Sequence, residues 1–422
     1  MDAAQETGFM SKVTNWIEEH IVPGVVKFTQ NKYVDGIRQG FLDTIPLMLI
    51  GSIFLVIALF PVEGWSDVLG SFFDKLWVMY TFTFGVLAVA TTYTISYHIA
   101  KNLNMDPILP AMFSILGFLM LSPPTEGGLP IGNLGGTGLF SSIIVAVLAP
   151  TLLKFMYDKN ITFRMPKEVP EGIASVFTSI VPGFVFMTLI WVIRIILNFD
   201  VNSWIISLLS PLVRAGDSLW VLLVEAFINR AAWIFGIHGY TVVQSVAMPF
   251  WQMALEENIQ AAAAGLPIPH VGTSTFFDGL AIWSGSLTWP VIVIMLFSKL
   301  RSWRAIARLN APVGIFCIWE PVVFGLPIIL NPILAIPMIL TSLWGVVVAY
   351  YAVIWGLVTT PYVMIPMITP PILSGFLSTG GDWRSIPVSI IVLVGAGLIW
   401  YPFLKAYERM RAKENPGDVI QD

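Results

Sequence analysis

Cysteine, histidine and charged side chains are all scarce in this chain of 422 residues. It has one cysteine, Cys317, four histidines and 11% charged residues. A single cysteine excludes an intrachain disulfide, and the scattered histidines lack the spacing of a zinc site. Walker and HExxH motifs are absent, and a net charge of −4 gives no basic face for nucleic acid. We therefore expect no metal, no cofactor and no nucleic-acid partner.

Apolar residues, by contrast, make up 56% of the chain and lie in long blocks. Such blocks are typical of transmembrane helices, so the sequence predicts an all-α polytopic membrane protein. We expect about ten spans, near residues 36–60, 76–100, 107–121, 139–157, 173–199, 218–236, 240–256, 276–298, 336–359 and 385–404. Residues 1–35 show no signal peptide and predict an amphipathic interfacial helix, with Trp16, Ile17, Ile21 and Val25 on one face.

Lysine and arginine cluster within residues 154–167, 299–308 and 405–413. The positive-inside rule places these clusters on the cytoplasmic side, together with both termini. The more regular region 36–199 predicts a scaffold or dimerisation unit, and residues 200–404 predict the substrate-binding unit. We expect a loop at 200–217 between them, and a cytoplasmic tail at 405–422.

Glu320 is the only acidic residue between Asp278 and Asp382. An ionisable side chain at membrane depth usually faces a cavity. Prolines and glycines interrupt the apolar pattern around it, at 311–332, and again at 361–381. Both segments predict re-entrant hairpins, and broken helices of this kind mark the binding sites of transporters. The alternative is an acid in a loop near the membrane interface.

His238 is the second candidate for a substrate contact. Gly236 and Gly239 flank it, and they let the backbone turn sharply and bring the imidazole to a cavity. The alternative is a histidine satisfied by a neighbouring carbonyl group. His270, in a proline-containing loop, is a weaker candidate.

Three polar residues lie on the predicted helix before His238: Glu225, Asn229 and Arg230. Glu225 and Asn229 are spaced i to i+4, so they share a helix face and can contact substrate together. An internal Glu225–Arg230 ion pair is the alternative. The 16 tryptophans supply either sugar-stacking surfaces or anchors at the membrane interface.

A set of motifs, in order over nearly the whole chain, resembles the enzyme IIC permeases of the bacterial phosphotransferase system, of the lactose, cellobiose and N,N'-diacetylchitobiose type. The motifs are FGIHG at 235–239, EPVVFGLP at 320–327, NP at 331–332, PPILSGF at 370–376 and TGGDWR at 379–384. The resemblance implies a homodimer in the bacterial cell membrane. Its first half forms the dimer contact, and its second half holds a β-linked disaccharide through Glu320 and His238.

The resemblance also implies a mechanism. The permease binds an external disaccharide, moves the site to the cytoplasmic face and presents the sugar 6-hydroxyl to a phosphocysteine on a separate IIB protein. Glu320 is the candidate general base, and His238 orients the sugar. The chain alone is expected not to phosphorylate. Two other classes stay open: an ion-coupled secondary sugar transporter with Glu320 as the ion site, and a membrane receptor that does not transport.

The sequence departs from the family pattern in two places. Trp319 stands where the family usually has asparagine, and residues 282–288 lack the usual paired glycines. A tryptophan beside Glu320 removes an amide hydrogen bond or adds a stacking surface. Trp319 is therefore a further candidate for the substrate site.

Overall fold

The computed structural model is an assembly of packed α-helices. It describes residues 27, 30–58, 65–123, 131–163, 171–235, 237–326, 328 and 331–420. Within these ranges the β-structure consists of one isolated pairing, of Leu300 with Val419. The predicted all-α polytopic fold class is therefore confirmed, whereas the amphipathic face predicted near the N-terminus lies outside the described residues.

The described part of the first half contains seven helices. Helices α1 to α7 are Lys32–Ala58, Trp65–Leu69, Phe72–Thr81, Leu87–Asn102, Ile108–Leu121, Leu139–Asp158 and Glu171–Trp191. Helix α1 packs along α4, and a methyl group added to Gly36 or Gly40 would lie 2.5 Å from Ile99 or 2.4 Å from Ile95. Two glycines four residues apart let helix backbones approach this closely.

The described part of the second half contains nine helices. Helices α8 to α16 are Val201–Gly216, Leu219–Ile234, Gly239–Ala263, Gly285–Leu296, Arg301–Gly314, Glu320–Gly325, Pro332–Ile354, Pro371–Ser378 and Ser385–Glu414. Helix α9 packs on α10 and α14, α14 on α16, and α11 on both α12 and α16. The backbone N–H of Ile420 donates to the carbonyl of Lys299 at 2.9 Å, which ties the end of the chain to the start of α12.

Six helical stretches among the described residues are long and apolar enough to cross a membrane: Phe72–Asn102, Gly136–Asp158, Val176–Ile196, Phe276–Leu296, Ile333–Ile354 and Ser385–Glu414. Helices α8 and α9, which meet at 80°, make a seventh if they count as one span. The predicted number of ten is not confirmed. Helix α5 has only 14 residues, and α10 buries the polar side chains of Gln252, Glu256 and Asn258.

The loop predicted at 200–217 is wrong, because these residues form helix α8. The Asp200 carboxylate caps it by accepting from the backbone N–H of Ser203 at 3.1 Å. Ile205, Leu209 and Val213 repeat every four residues and pack into one apolar cluster. The cap and this stripe outweigh the proline inside the helix.

Helical structure is interrupted in both segments predicted as hairpins. Residues 315–319 separate α12 from α13, which has six residues. In the second segment, irregular chain leads into α15, which has eight residues. The Asn331-Pro332 motif between them caps α14, since the Asn331 side chain accepts from the backbone N–H groups of Ile333 and Leu334.

Candidate substrate-binding site

A cavity of about 250 Å³ lies where the two broken segments meet helices α9 and α10. This volume is close to the lower end of the roughly 300–1,000 Å³ typical of ligand pockets, so it suits a small ligand. The lining residues come from five stretches of chain: Asn229, Arg230, Trp233, His238, Tyr240, Trp283, Ser284, Cys317, Ile318, Trp319, Met367 and Ile368. The structure thus brings together four of the residues selected from the sequence: Asn229, Arg230, His238 and Trp319.

Aromatic rings form one wall of the cavity. The ring centre of Trp233 lies 4.6 Å from that of His238 and 4.6 Å from that of Trp319. The guanidinium carbon of Arg230 lies 5.4 Å from the Trp319 ring centre and 5.8 Å from that of Trp283. These are cation–π distances, and they hold the tryptophans around a buried charge. The wall offers apolar faces and a cation to the same small ligand.

Two residues that line the cavity each carry a buried polar atom without a hydrogen-bond partner among the described residues: Asn229 Oδ1 and Trp283 Nε1. Both side chains are only 1% exposed. Buried polar groups are nearly always paired, so an unpaired acceptor and an unpaired donor in one cavity need an explanation. A hydroxyl group both donates and accepts, and a ligand that carries several of them satisfies both atoms.

Arg230 is held by hydrogen bonds that the sequence did not indicate. Its Nε donates to Ser342 Oγ at 2.6 Å and its Nη2 to the carbonyl of Trp283 at 2.7 Å. The alternative Glu225–Arg230 ion pair is absent from the described contacts. Residues five apart on a helix point about 140° apart. Glu225 instead contacts Trp251 and lines a separate cavity of about 260 Å³ beside α8.

Sequence reasoning missed Tyr240, Trp283 and Asp278. The Tyr240 hydroxyl donates to Asp278 Oδ2 at 3.3 Å, and the Asp278 carboxylate acts electrostatically on Arg230. A signal for Asp278 was present. It lies inside the span predicted at 276–298, so the argument that selected Glu320 selects it as well.

His238 has a structural role beside its place in the cavity wall. It is the N-cap of α10, and its Nδ1 accepts from the backbone N–H of Thr241 at 3.4 Å. A neutral imidazole that accepts at Nδ1 carries its proton on Nε2. This contact orients the ring before any ligand binds.

His270 lies away from the cavity and joins three parts of the chain. Its Nδ1 lies 2.7 Å from Asp217 Oδ2 and its Nε2 lies 2.7 Å from Glu257 Oε2. Burial alone would lower the pKa of His270, but hydrogen bonds to these two carboxylates raise the pKa to about 9. This geometry fits a clamp between α10 and the α8–α9 corner, not a substrate contact.

Glu320 begins α13 directly after the cavity residue Trp319, which places its backbone at the edge of the cavity. Its side chain lies outside the described part of the structure. The predicted sugar contact of Glu320 therefore stays a prediction.

The backbone is strained on both sides of the cavity. Ile282, next to Trp283, has φ 53°, and Cys317 has φ 60°. Side chains disfavour this left-handed region, most of all β-branched ones, and such outliers concentrate at functional sites. Cys317 Sγ also donates to the carbonyl of Thr369 at 3.2 Å, a contact that joins the two broken segments.

Broken helices surround a buried aromatic and polar cavity, and the described residues include six or seven apolar spans. Together these features define a polytopic membrane permease. The family model of the phosphotransferase system EIIC component matches residues 38–342. The chain belongs to this family, and the resemblance found in its motifs is confirmed. It is a multi-pass cell membrane protein.

Relatives of similar length support this assignment. The lichenan permease IIC component of Bacillus subtilis is 30% identical, over 98% of this chain and 97% of that protein. The cellobiose-specific EIIC component of Geobacillus stearothermophilus is 30% identical, over 97% of each chain. The crystal structure of ChbC, the IIC component of an N,N'-diacetylchitobiose-specific system, matches with a TM-score of 0.90 and 30% identity, over 96% of this chain and all of that one.

Proposed function

We propose that this EIIC permease binds a β-linked disaccharide in the cavity, carries it across the membrane and presents its 6-hydroxyl to a phosphocysteine of a IIB protein. The names of the relatives refer to lichenan, cellobiose and N,N'-diacetylchitobiose, whose sugar units are β-linked. A ring with equatorial hydroxyl groups has apolar C–H faces, which pack on tryptophan. The cavity wall formed by Trp233 and Trp319 suits such a ring.

The observation that carries the proposal is the pair of unpaired groups, Asn229 Oδ1 and Trp283 Nε1. A purely apolar ligand would leave both unsatisfied, at a cost of about 1–3 kcal/mol each. A sugar hydroxyl can donate to Asn229, and another can accept from Trp283. Arg230 adds a charged donor beside them.

Glu320 and His238 take the roles implied by the family resemblance. The Glu320 carboxylate accepts the proton of the sugar 6-hydroxyl as that oxygen attacks phosphorus. The new O–P bond forms while the S–P bond of the IIB phosphocysteine breaks, and the thiolate leaves. His238 orients the sugar. Phosphorylation then traps the product in the cytoplasm.

The homodimer and the cytoplasmic position of both termini belong to the same proposal. Helix α7 in the first half exposes large apolar side chains, and Phe184 is 71% exposed. Such a face is suited to lipid or to a second copy. Mass measurement of the purified protein in detergent tests the dimer, and a monomeric mass would reject it.

Binding of β-linked disaccharides to the purified protein tests the site. Asn229→Leu keeps the shape but removes the unpaired amide, so we expect unchanged or higher thermal stability with at least fivefold weaker sugar binding. The matched control is Asn310→Leu, since Asn310 is also a buried asparagine but donates to the carbonyl of Ile306. Unaltered sugar binding in a folded Asn229→Leu protein would show that the sugar does not bind in this cavity.

Transport by proteoliposomes tests the coupling. The protein alone should only equilibrate labelled disaccharide across the bilayer, because no energy source acts on the sugar. Accumulation should require phosphorylated IIB inside the vesicle. Uphill uptake driven by a proton or sodium gradient, without IIB, would support the ion-coupled class instead.

A further inference from the structure

Two apolar grooves lie on the outer side of α11, away from the sugar cavity. The groove between α11 and α12 has a volume of about 610 Å³, and the groove between α11 and α16 has about 410 Å³. Trp289 and Val293 line both grooves, so the two run side by side along one helix. Val293 is 53% exposed. The pair of grooves therefore opens outward, where membrane lipid surrounds the protein.

Arg308 is the one charged side chain among the described residues that line either groove. It is exposed, and it makes no hydrogen bond or ion pair within the described part of the chain. Arg384, by contrast, pairs with Asp382 at 2.8 Å. A cation without a protein partner, beside apolar grooves, calls for an anion that also has apolar parts.

The positive-inside rule places the Arg308 end of the groove toward the membrane surface. Arg308 is about 10 Å along α12 from Arg301, in the basic cluster that the positive-inside rule places on the cytoplasmic side. From Leu296, near this end, to Trp289 the α11–α12 groove runs about 10 Å deeper along α11. A headgroup at Arg308 therefore leaves room for chains that extend toward the membrane centre.

We propose that the two grooves hold the two acyl chains of one anionic phospholipid whose phosphate pairs with Arg308. Two parallel grooves with a shared wall match two chains joined at one headgroup. The charge of Arg308 selects an anionic headgroup over a zwitterionic one. The site is independent of the sugar cavity and of the proposed substrate.

The lipid would lie behind one wall of the sugar cavity. Trp289 Nε1 donates to the carbonyl of Gly314 at 3.0 Å, and this bond closes the deep end of the first groove. From Gly314 the chain continues directly to Cys317 and Trp319, which line the sugar cavity. The proposed lipid thus packs against the helix that leads into the irregular segment with these residues.

Native mass spectrometry of the purified protein, with phosphatidylglycerol and phosphatidylcholine of identical acyl chains, tests the site. Wild-type protein should bind one phosphatidylglycerol about fivefold or more tightly than phosphatidylcholine. Arg308→Gln should abolish most of this preference, because it should weaken phosphatidylglycerol binding more than phosphatidylcholine binding. The matched control is Arg409→Gln, because Arg409 is an exposed arginine on α16 that lines neither groove.

A second variant tests the grooves themselves. Val293→Trp places a large ring into the shared wall, at a position that is 53% exposed, and should weaken binding of both lipids. Equal affinity of wild-type protein for the two lipids would overturn the proposal. Equal losses of phosphatidylglycerol affinity in Arg308→Gln and Arg409→Gln would also overturn it, since they would show diffuse electrostatic attraction. Unaltered lipid binding by Val293→Trp would overturn it as well.

Discussion

The α-carbon of Gly239 lies directly against the main-chain carbonyl of Asn229. A methyl group on that α-carbon would lie 1.7 Å from the carbonyl oxygen. Both atoms belong to backbone, so neither can rotate out of the way. The contact sets how closely α9, which carries Asn229, approaches His238, the residue before Gly239.

Gly239→Ala should therefore disturb the site through the backbone. Overpacking of this kind costs about 1–3 kcal/mol, so we expect a lower melting temperature together with weaker sugar binding. Thermal unfolding in detergent and sugar titration measure the two effects. Gly216→Ala is the control, since beyond its chain neighbours and its own helix backbone no atom lies within 4 Å of a methyl group there. A Gly239→Ala protein that behaves like this control would show that the helices adjust freely.

Trp283→Phe should weaken sugar binding about fivefold, because it removes one neutral donor while an aromatic ring remains. Trp400→Phe is a close control. Trp400 is also 1% exposed and its Nε1 is also unpaired within the described structure, but it does not line the cavity. Isothermal titration should separate the two variants. Equal affinities would mean that the indole nitrogen of Trp283 does not contact the sugar.

His238→Asn and His238→Ala should separate the two roles of the histidine. Asparagine is a good N-cap, so His238→Asn should keep the stability of α10 and lose sugar affinity. Alanine removes the cap too, at a further cost of about 1 kcal/mol in stability. Thermal unfolding and sugar binding measured on both variants check this. Wild-type sugar affinity in His238→Asn would leave only the capping role.

Glu320→Gln should keep the fold and weaken sugar binding about tenfold to a hundredfold, since a hydrogen bond to a charged group contributes about 1.5–3 kcal/mol. Glu225→Gln is the control, because Glu225 lies in a different cavity. Titration of each variant with disaccharide gives the comparison. If Glu225→Gln lost affinity and Glu320→Gln kept it, the site would have to be placed beside α8.

His270 should make stability depend on pH. Its pKa is raised from 6.5 to about 9, so the protonated form stabilises the fold. This contribution is complete below pH 6.5 and is lost as the pH rises toward 9. The melting temperature should fall by several degrees across this interval, and the fall should be absent in His270→Gln. Equal slopes in both proteins would show that His270 is not the titrating group.

The sequence alone determined the class of the protein and the places where its helices break. Apolar blocks reveal membrane spans because each helix must satisfy its own backbone in lipid. Prolines and glycines reveal interruptions because their effects are local. The motifs around His238 and Glu320 could be recognised from the sequence for the same reason, since each consists of neighbouring residues.

Only the tertiary structure decided which side chains share the cavity. Trp283 lies more than 50 residues along the chain from Asn229 and Arg230, yet it lines the same cavity. The unpaired N–H group of its indole ring cannot be predicted from the local periodicity of the sequence. Glu225 and Arg230 form no pair because the turn of α9 separates them, whereas Ser342 and Trp283 approach Arg230 through the packing of α9 on α14 and the loop before α11. Helix breaks follow from neighbouring residues, but contacts between distant segments follow from how the helices pack.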